Sequence, residues 1–326
     1  MCAPRTSSGA FSTPCRFLER TRAMAPQARK TPLSALRRLE IHTRRLMNDR
    51  MLGEHHSVFK GRGMDFDEVR EYVSGDEVRS IDWNVTARAG RPFVKKYTEE
   101  RELNILIMLD VSASGRFGSG MQSKRELAQE VASILAFSAI RNNDKVGLLL
   151  FTDRLERYLP PRKGRTQVLT VVDEILNHEP QGRGTRCVEA LDGANERLKS
   201  RAVIFLLSDF QLPGDAAAAF GELERALRQT RLRHDLIALH IEDPRERELP
   251  DLGVLVLEDA ESGELIELDS SSAKVRRAYA ERAAAHFERT LHTLRSAGAD
   301  TLALRTSEPY LPALRRFLKT RDRRRA

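Results

Sequence analysis

Five oxygen-bearing side chains, at three places in the chain, carry the clearest chemical signal. Asp110, Ser112 and Ser114 form an Asp-x-Ser-x-Ser run, Thr185 closes Gly182-Arg183-Gly184-Thr185, and Asp209 follows Ser208. All are hard oxygen donors, with no imidazole or thiolate among them, and such a set suits Mg²⁺ or Mn²⁺. Few of them are carboxylates, so a bound ion would stay electrophilic enough to accept an acidic group from a partner. Taken alone, Asp-x-Ser-x-Ser after a strand also serves as a helix N-cap. Thr185 and Asp209, each at the end of its own element, turn the pattern toward a metal site.

The elements that must position these residues are legible in the apolar pattern. Leu103–Leu109 is a nearly continuous apolar run, as expected of a strand buried on both faces. Val146–Phe151, Ala202–Leu207, Leu236–Ile241 and Thr301–Arg305 read as further strands. Between them the spacing predicts helices over 123–141, 165–178, 187–200, 216–230 and 272–297, with a last helix lined by Leu311, Leu314, Phe317 and Leu318. Val254–Leu257 and Leu265–Leu268 flank Glu261-Ser262-Gly263-Glu264 and read as a hairpin. This alternation predicts an α/β domain with a doubly wound, mostly parallel sheet over 101–326. Ligands of such folds bind at the carboxyl ends of the strands. Asp110 and Asp209 would meet there if their strands are neighbours.

Charge is unevenly distributed. The net +8 divides into +5 over residues 1–31, +6 over 315–326 and −3 for the remainder. The basicity therefore reads as tails rather than as a nucleic-acid-binding face, and no specific nucleic-acid partner is expected. Residues 1–31 lack an apolar core like that of a signal peptide and read as a disordered tail or a misannotated start, with Met24 as an alternative start. Residues from Pro32 to about Asn48 read as a helix. No run approaches the roughly eighteen apolar residues of a membrane span, so membrane insertion is not expected. Cys2, Cys15 and Cys187 make no CxxC pair and no zinc-spaced cluster. A reducing, cytoplasmic compartment fits this usage.

Residues 32–100 form a small charged segment ahead of the main domain, with β-rich character and few apolar anchors: Phe66, Val69, Tyr72, Ile81 and Trp83. Trp83 reads as a core anchor. The charges read either as an ion-pair network fixing this segment against the main domain or as a docking surface.

The Asp-x-Ser-x-Ser, Thr and Asp pattern resembles the metal-ion-dependent adhesion site of von Willebrand factor A-type domains. The resemblance implies that Ser112, Ser114 and Thr185 ligate Mg²⁺ directly or nearly so, with Asp110 and Asp209 acting partly through water. That family often has Gly after the last Asp, where this chain has Phe210. The run Gly61-Arg62-Gly63-Met64-Asp65-Phe66-Asp67-Glu68-Val69-Arg70-Glu71-Tyr72, followed by Gly75-Asp76, Arg79, Ile81-Asp82-Trp83 and Ala87-Arg88, resembles the signature of a bacterial family catalogued as domain of unknown function fifty-eight. Members of that family commonly accompany MoxR-type AAA+ ATPases. The resemblance thus implies an adaptor or partner role in ATPase-driven assembly or maturation of other proteins.

Other signals fall away. Gly115-Arg116-Phe117-Gly118-Ser119-Gly120 has phosphate-loop glycines, but Met121 and Gln122 stand where Lys and Ser or Thr are needed. There is no GxSxG elbow and no HExxH. His55-His56 lacks a third ligand nearby in sequence. The expectation is a noncatalytic, Mg²⁺-dependent protein-binding module. A metal-dependent hydrolase at the same site is the alternative, with no general base evident beside the metal. Oligomeric state and client are not encoded in any motif.

Overall fold

The long apolar runs form strands, and the sheet they build sets everything else. In a computed structural model, residues 15–17, 65–73, 76–98, 102–120, 122–212, 216–260 and 263–325 are described. The expected helix at 32–48 and the motif start at Gly61 lie outside them. In chain order come β1 (Cys15–Phe17), β2 (Asp65–Glu71), α1 (Trp83–Ala89) and β3 (Phe93–Thr98). The main domain follows with β4 (Asn104–Asp110), α2 (Lys124–Arg141), β5 (Lys145–Phe151), β6 (Leu155–Arg162), α3 (Arg165–Asn177), α4 (Cys187–Arg197) and β7 (Val203–Ser208). It continues through α5 (Ala216–Arg233), β8 (Asp235–Glu242), β9 (Val254–Asp259), β10 (Leu265–Asp269), α6 (Ala273–Ser296), β11 (Asp300–Arg305) and α7 (Tyr310–Arg325).

Six strands form the central sheet in the order β11-β8-β7-β4-β5-β6. All pair in parallel except β6, which runs antiparallel to β5. The expected mostly parallel α/β sheet is therefore present. From β4 the chain winds outward to β5 and β6, then returns to place β7 on the other side of β4. The order thus reverses between β4 and β7, and such a switch point opens a crevice beyond the strand ends.

Alternate residues of each strand serve two separate cores. Ile105, Ile107 and Leu109 of β4 pack with Leu148, Phe205 and Leu239 against α2, α3 and α7. Leu106 and Met108 pack with Leu149, Ile204 and Leu206 against α4, α5 and α6. Burial on both sides is why β4, β7 and β8 read as unbroken apolar runs rather than alternating ones.

No strand was expected over Leu155–Arg162, which contains Pro160 and Pro161. The position of β6 at the sheet edge and the slip in its pairing with β5 together accommodate the two prolines, since a strand tolerates missing N–H donors at an outer edge or at a bulge. Pairing slips between Val146↔Arg162 and Leu148↔Leu159, and Gly147 sits at that irregularity. A Cβ on Gly147 would lie 2.6 Å from Leu159 O and 2.7 Å from Pro161 N, so only glycine lets β6 approach there. Gln167 Nε2 fills the gap in the ladder by donating to Val146 O and Pro160 O, each at 3.1 Å.

Outside this sheet, β1, β9 and β10 form a three-stranded antiparallel sheet. The predicted hairpin is thus present, and Cys15–Phe17, within the stretch read from composition as a tail, pairs with it. The basic stretch from 315 lies within α7, whose Arg321 is buried and ion-paired to Asp235 and Asp300. In the charged segment β2 and β3 pair antiparallel, and Asp82 caps α1 by accepting from Asn84 N and Val85 N. Trp83 corrects the expectation of a core anchor: it is 66% exposed. It opens a helix of seven residues that buries none of them. Arg70 and Asp76 form a bidentate pair at 2.7 and 2.6 Å.

Replacing Gly147 with Ala drives a methyl into the β6 backbone. Gly147→Ala is expected to destabilise the domain by about 1–3 kcal/mol, read as a lower midpoint in urea denaturation.

Candidate functional site

The register between β4 and β7 brings the two distant carboxylates together. Leu109 lies opposite Leu207, so the next residues, Asp110 and Ser208, leave the sheet side by side. Ser208 Oγ donates to Asp110 Oδ2 at 2.6 Å, and Ser112 N donates to Asp110 Oδ1 at 2.9 Å. The chain then makes a 3-10 turn over Ala113–Arg116, in which Ser114 is buried and its Oγ lies 3.0 Å from Ser112 Oγ. A Ser114 hydrogen bond reaches Asp209 in turn. The long loop then delays α2 until Lys124, where Ser123 and Glu126 form a capping box.

Thr185 arrives on the loop before α4. Ala113 N donates to Arg183 O at 2.9 Å, and Arg186 N donates to Thr152 O at 2.9 Å, so that loop is tied to both neighbours. Gly182 packs so closely that a Cβ would lie 2.1 Å from Thr152 Oγ1 and from Asp153 Oδ1. Glu156 of β6 accepts Gly182 N at 2.7 Å, Gln181 N at 3.1 Å and Thr152 Oγ1 at 2.8 Å. Thr185 itself is fully buried, and its Oγ1 has no hydrogen-bond partner. A buried hydroxyl without a partner is costly unless something supplies one.

Phe210 stands where the resembling family often has Gly, and its backbone is glycine-like, with φ of 54°. That left-handed conformation strains a bulky residue. Its fully buried ring, edge-on to His240 at 5.7 Å, offsets the strain, and Phe210 N donates to Ser208 Oγ at 2.9 Å.

Two charged neighbours lie outside the motif. Lys124 Nζ donates to Asp209 Oδ2 and to Glu246 Oε1, both at 2.5 Å, with its side chain only 1% exposed. Lys124 is three residues before Leu127 and seven before Val131, on the apolar stripe of α2. A cation on that stripe was the signal available in the sequence. Glu246, in the turn after β8, carried none.

One ammonium, that of Lys124, stands among the carboxyl groups of Asp110, Asp209 and Glu246. Burial, and next the Asp209 charge, push the Asp110 carboxyl up to about 6. Burial would raise Asp209 as well, but Lys124 overrides it and holds Asp209 below the usual carboxylate range. Burial would lower the Lys124 ammonium, yet Asp209 and Glu246 keep it above the ordinary lysine value. Glu246 is raised, burial outweighing its contact with Lys124.

The family model for "Protein of unknown function DUF58" matches residues 68–289. The chain belongs to the DUF58 family. An uncharacterized protein of Mycobacterium tuberculosis is 34% identical to this DUF58 chain over 293 residues, covering 89% of it and 90% of the relative. An uncharacterized protein of Mycobacterium avium is 34% identical over 167 residues, 51% of this chain and 94% of the relative. Among solved structures, the conserved hypothetical protein BatB from Bacteroides thetaiotaomicron aligns over 68% of this chain and 99% of its own, with 16% identity and a TM-score of 0.39. The VWA domain of SpRpn10 aligns over 68% and 95%, with 13% identity and a TM-score of 0.38. Among the described residues of this DUF58 protein, no helix is long and apolar enough to cross a membrane.

Lys124 is the shared counter-charge of Asp209 and Glu246. Lys124→Ala is expected to cost about 3–5 kcal/mol, measured as a loss of stability in chemical denaturation, because Asp209 and Glu246 are left facing each other.

Proposed function

We propose that this DUF58 protein is a noncatalytic, Mg²⁺-dependent protein-binding module. The ion, Mg²⁺ or Mn²⁺, would be held by Asp110, Ser112, Ser114, Thr185 and Asp209. The observation that carries the reading is the buried, unpartnered Thr185 Oγ1 on a loop tied to the one that bears Ser112 and Ser114. These are hydroxyl and carboxylate oxygens, the donors a hard divalent ion prefers. When bound, the ion supplies Lewis acidity toward an acidic side chain of the partner.

The chain's own residues do the rest. Ser208 orients Asp110, and Glu156 fixes the Gly182 turn that presents Thr185. Arg116 and Arg183 are exposed on the flanking loops and favour an acidic approach. The partner we infer is a MoxR-type AAA+ ATPase or its client. The chain would act as an adaptor in assembly or maturation of other proteins, in the cytoplasm, a compartment that suits the free, buried Cys187.

The reading is tested by calorimetric titration of Mg²⁺ and Mn²⁺ into the protein and its Asp110→Ala variant. Capture of a purified MoxR-type ATPase encoded in the same genome is then measured with and without a chelator. Metal uptake by the parent, at least tenfold weaker in Asp110→Ala, with chelator-sensitive capture, is the expected result. Capture unchanged by chelator and by Asp110→Ala would sink the proposal.

A further inference from the structure

Lys124 has no place in the metal-binding pattern, yet it touches one of the proposed ligands directly. Its ammonium lies between Asp209 Oδ2 and Glu246 Oε1, equidistant at 2.5 Å. Asp209 is the carboxylate that β7 delivers to the site. Glu246 belongs to a different structure, the 3-10 turn Pro244–Glu246 that follows β8.

That turn is firmly held. Glu246 Oε2 accepts from Asp243 N at 3.2 Å. The Asp243 carboxylate accepts Ser119 N at 3.0 Å, Ser119 Oγ at 2.5 Å and Thr306 Oγ1 at 2.6 Å. Glu246 is therefore a fixed acceptor that does not depend on Lys124 for its position. An ammonium with one carboxylate cannot release it without being stranded in a dry environment. An ammonium with two can lean on either.

We propose that Lys124 is an exchange cation, which shares Asp209 with a bound divalent ion and shifts its weight to Glu246 when the ion draws on Asp209. The inference rests on the metal reading above. It deepens that reading in one respect: Lys124 competes with the metal for the same carboxylate, so the ion is held weakly by the chain alone. An acidic side chain of a partner then supplies the charge that Lys124 withholds. Partner and metal bind together, each raising the affinity for the other, as reciprocal coupling requires.

Two substitutions separate competition from net charge. Lys124→Met combined with Glu246→Gln removes one positive and one negative charge and leaves Asp209 free. Glu246→Gln alone takes away the second acceptor and commits Lys124 to Asp209. Mg²⁺ and Mn²⁺ are titrated calorimetrically into the full chain and both variants, with and without acetate as a stand-in for the partner's carboxylate. Circular dichroism checks folding.

The double variant is expected to bind metal about tenfold tighter than the parent or better, and to lose the gain from acetate. Glu246→Gln is expected to bind about tenfold more weakly. A double variant within about twofold of the parent overturns the exchange role while leaving the metal site standing. If the double variant does not fold, Glu246→Gln decides, and parental affinity there overturns the inference. Absence of binding by every form, with acetate present, overturns the metal reading and this inference with it.

Discussion

Two carboxylates that leave adjacent strands one residue apart repel each other in a buried site unless a counter-charge or a proton intervenes. The pairing of β4 with β7 forces that situation on Asp110 and Asp209. Lys124 resolves it from the first turn of α2, where its ammonium is shared between Asp209 and Glu246 of the turn after β8. The consequences spread outward. The start of α2 is fixed by its ammonium, the preceding loop is fastened through Ser119 to Asp243, and Asp243 is fastened through Thr306 to the end of β11. The edge that carries the candidate ligands is thus tied together by hydrogen bonds between its loops and strand ends.

The two-sided sheet supplies the rigidity that such a site needs. Because alternate residues of β4 enter different cores, neither layer of helices can shift without disturbing the strand that ends at Asp110. The winding direction switches between β4 and β7, and the bond from Ala113 N to Arg183 O ties the loop after β4 to the loop before α4. Chemistry and packing meet at one residue, Phe210. Its backbone takes a conformation suited to glycine, and its ring is paid for by complete burial against His240.

Much of this is legible in the amino-acid sequence, and the reasons are physical. Apolar runs long enough to be buried twice identified the central strands, and four-residue spacing identified the helices. Asp110, Ser112, Ser114, Thr185 and Asp209 stood out because oxygen donors followed those runs directly. That β4 and β7 are neighbours was not legible, since strand order depends on how the chain returns to the sheet. Lys124 and Glu246 are far apart in sequence, and a lysine on an apolar stripe names no partner. Trp83 misled because aromatic size argues for burial, whereas α1 is too short to bury anything. β6 was hidden by its prolines, which argue against a strand unless it lies at an edge.

Those prolines also govern how the sheet meets other chains. An open sheet border is a template on which a foreign strand can crystallise, extending the ladder by main-chain pairing alone. Pro160 and Pro161 offer no N–H to an incoming strand, and the slipped register at Gly147 interrupts the regular ladder. Recognition by strand addition, and uncontrolled stacking of one copy on another, are both discouraged along this flank.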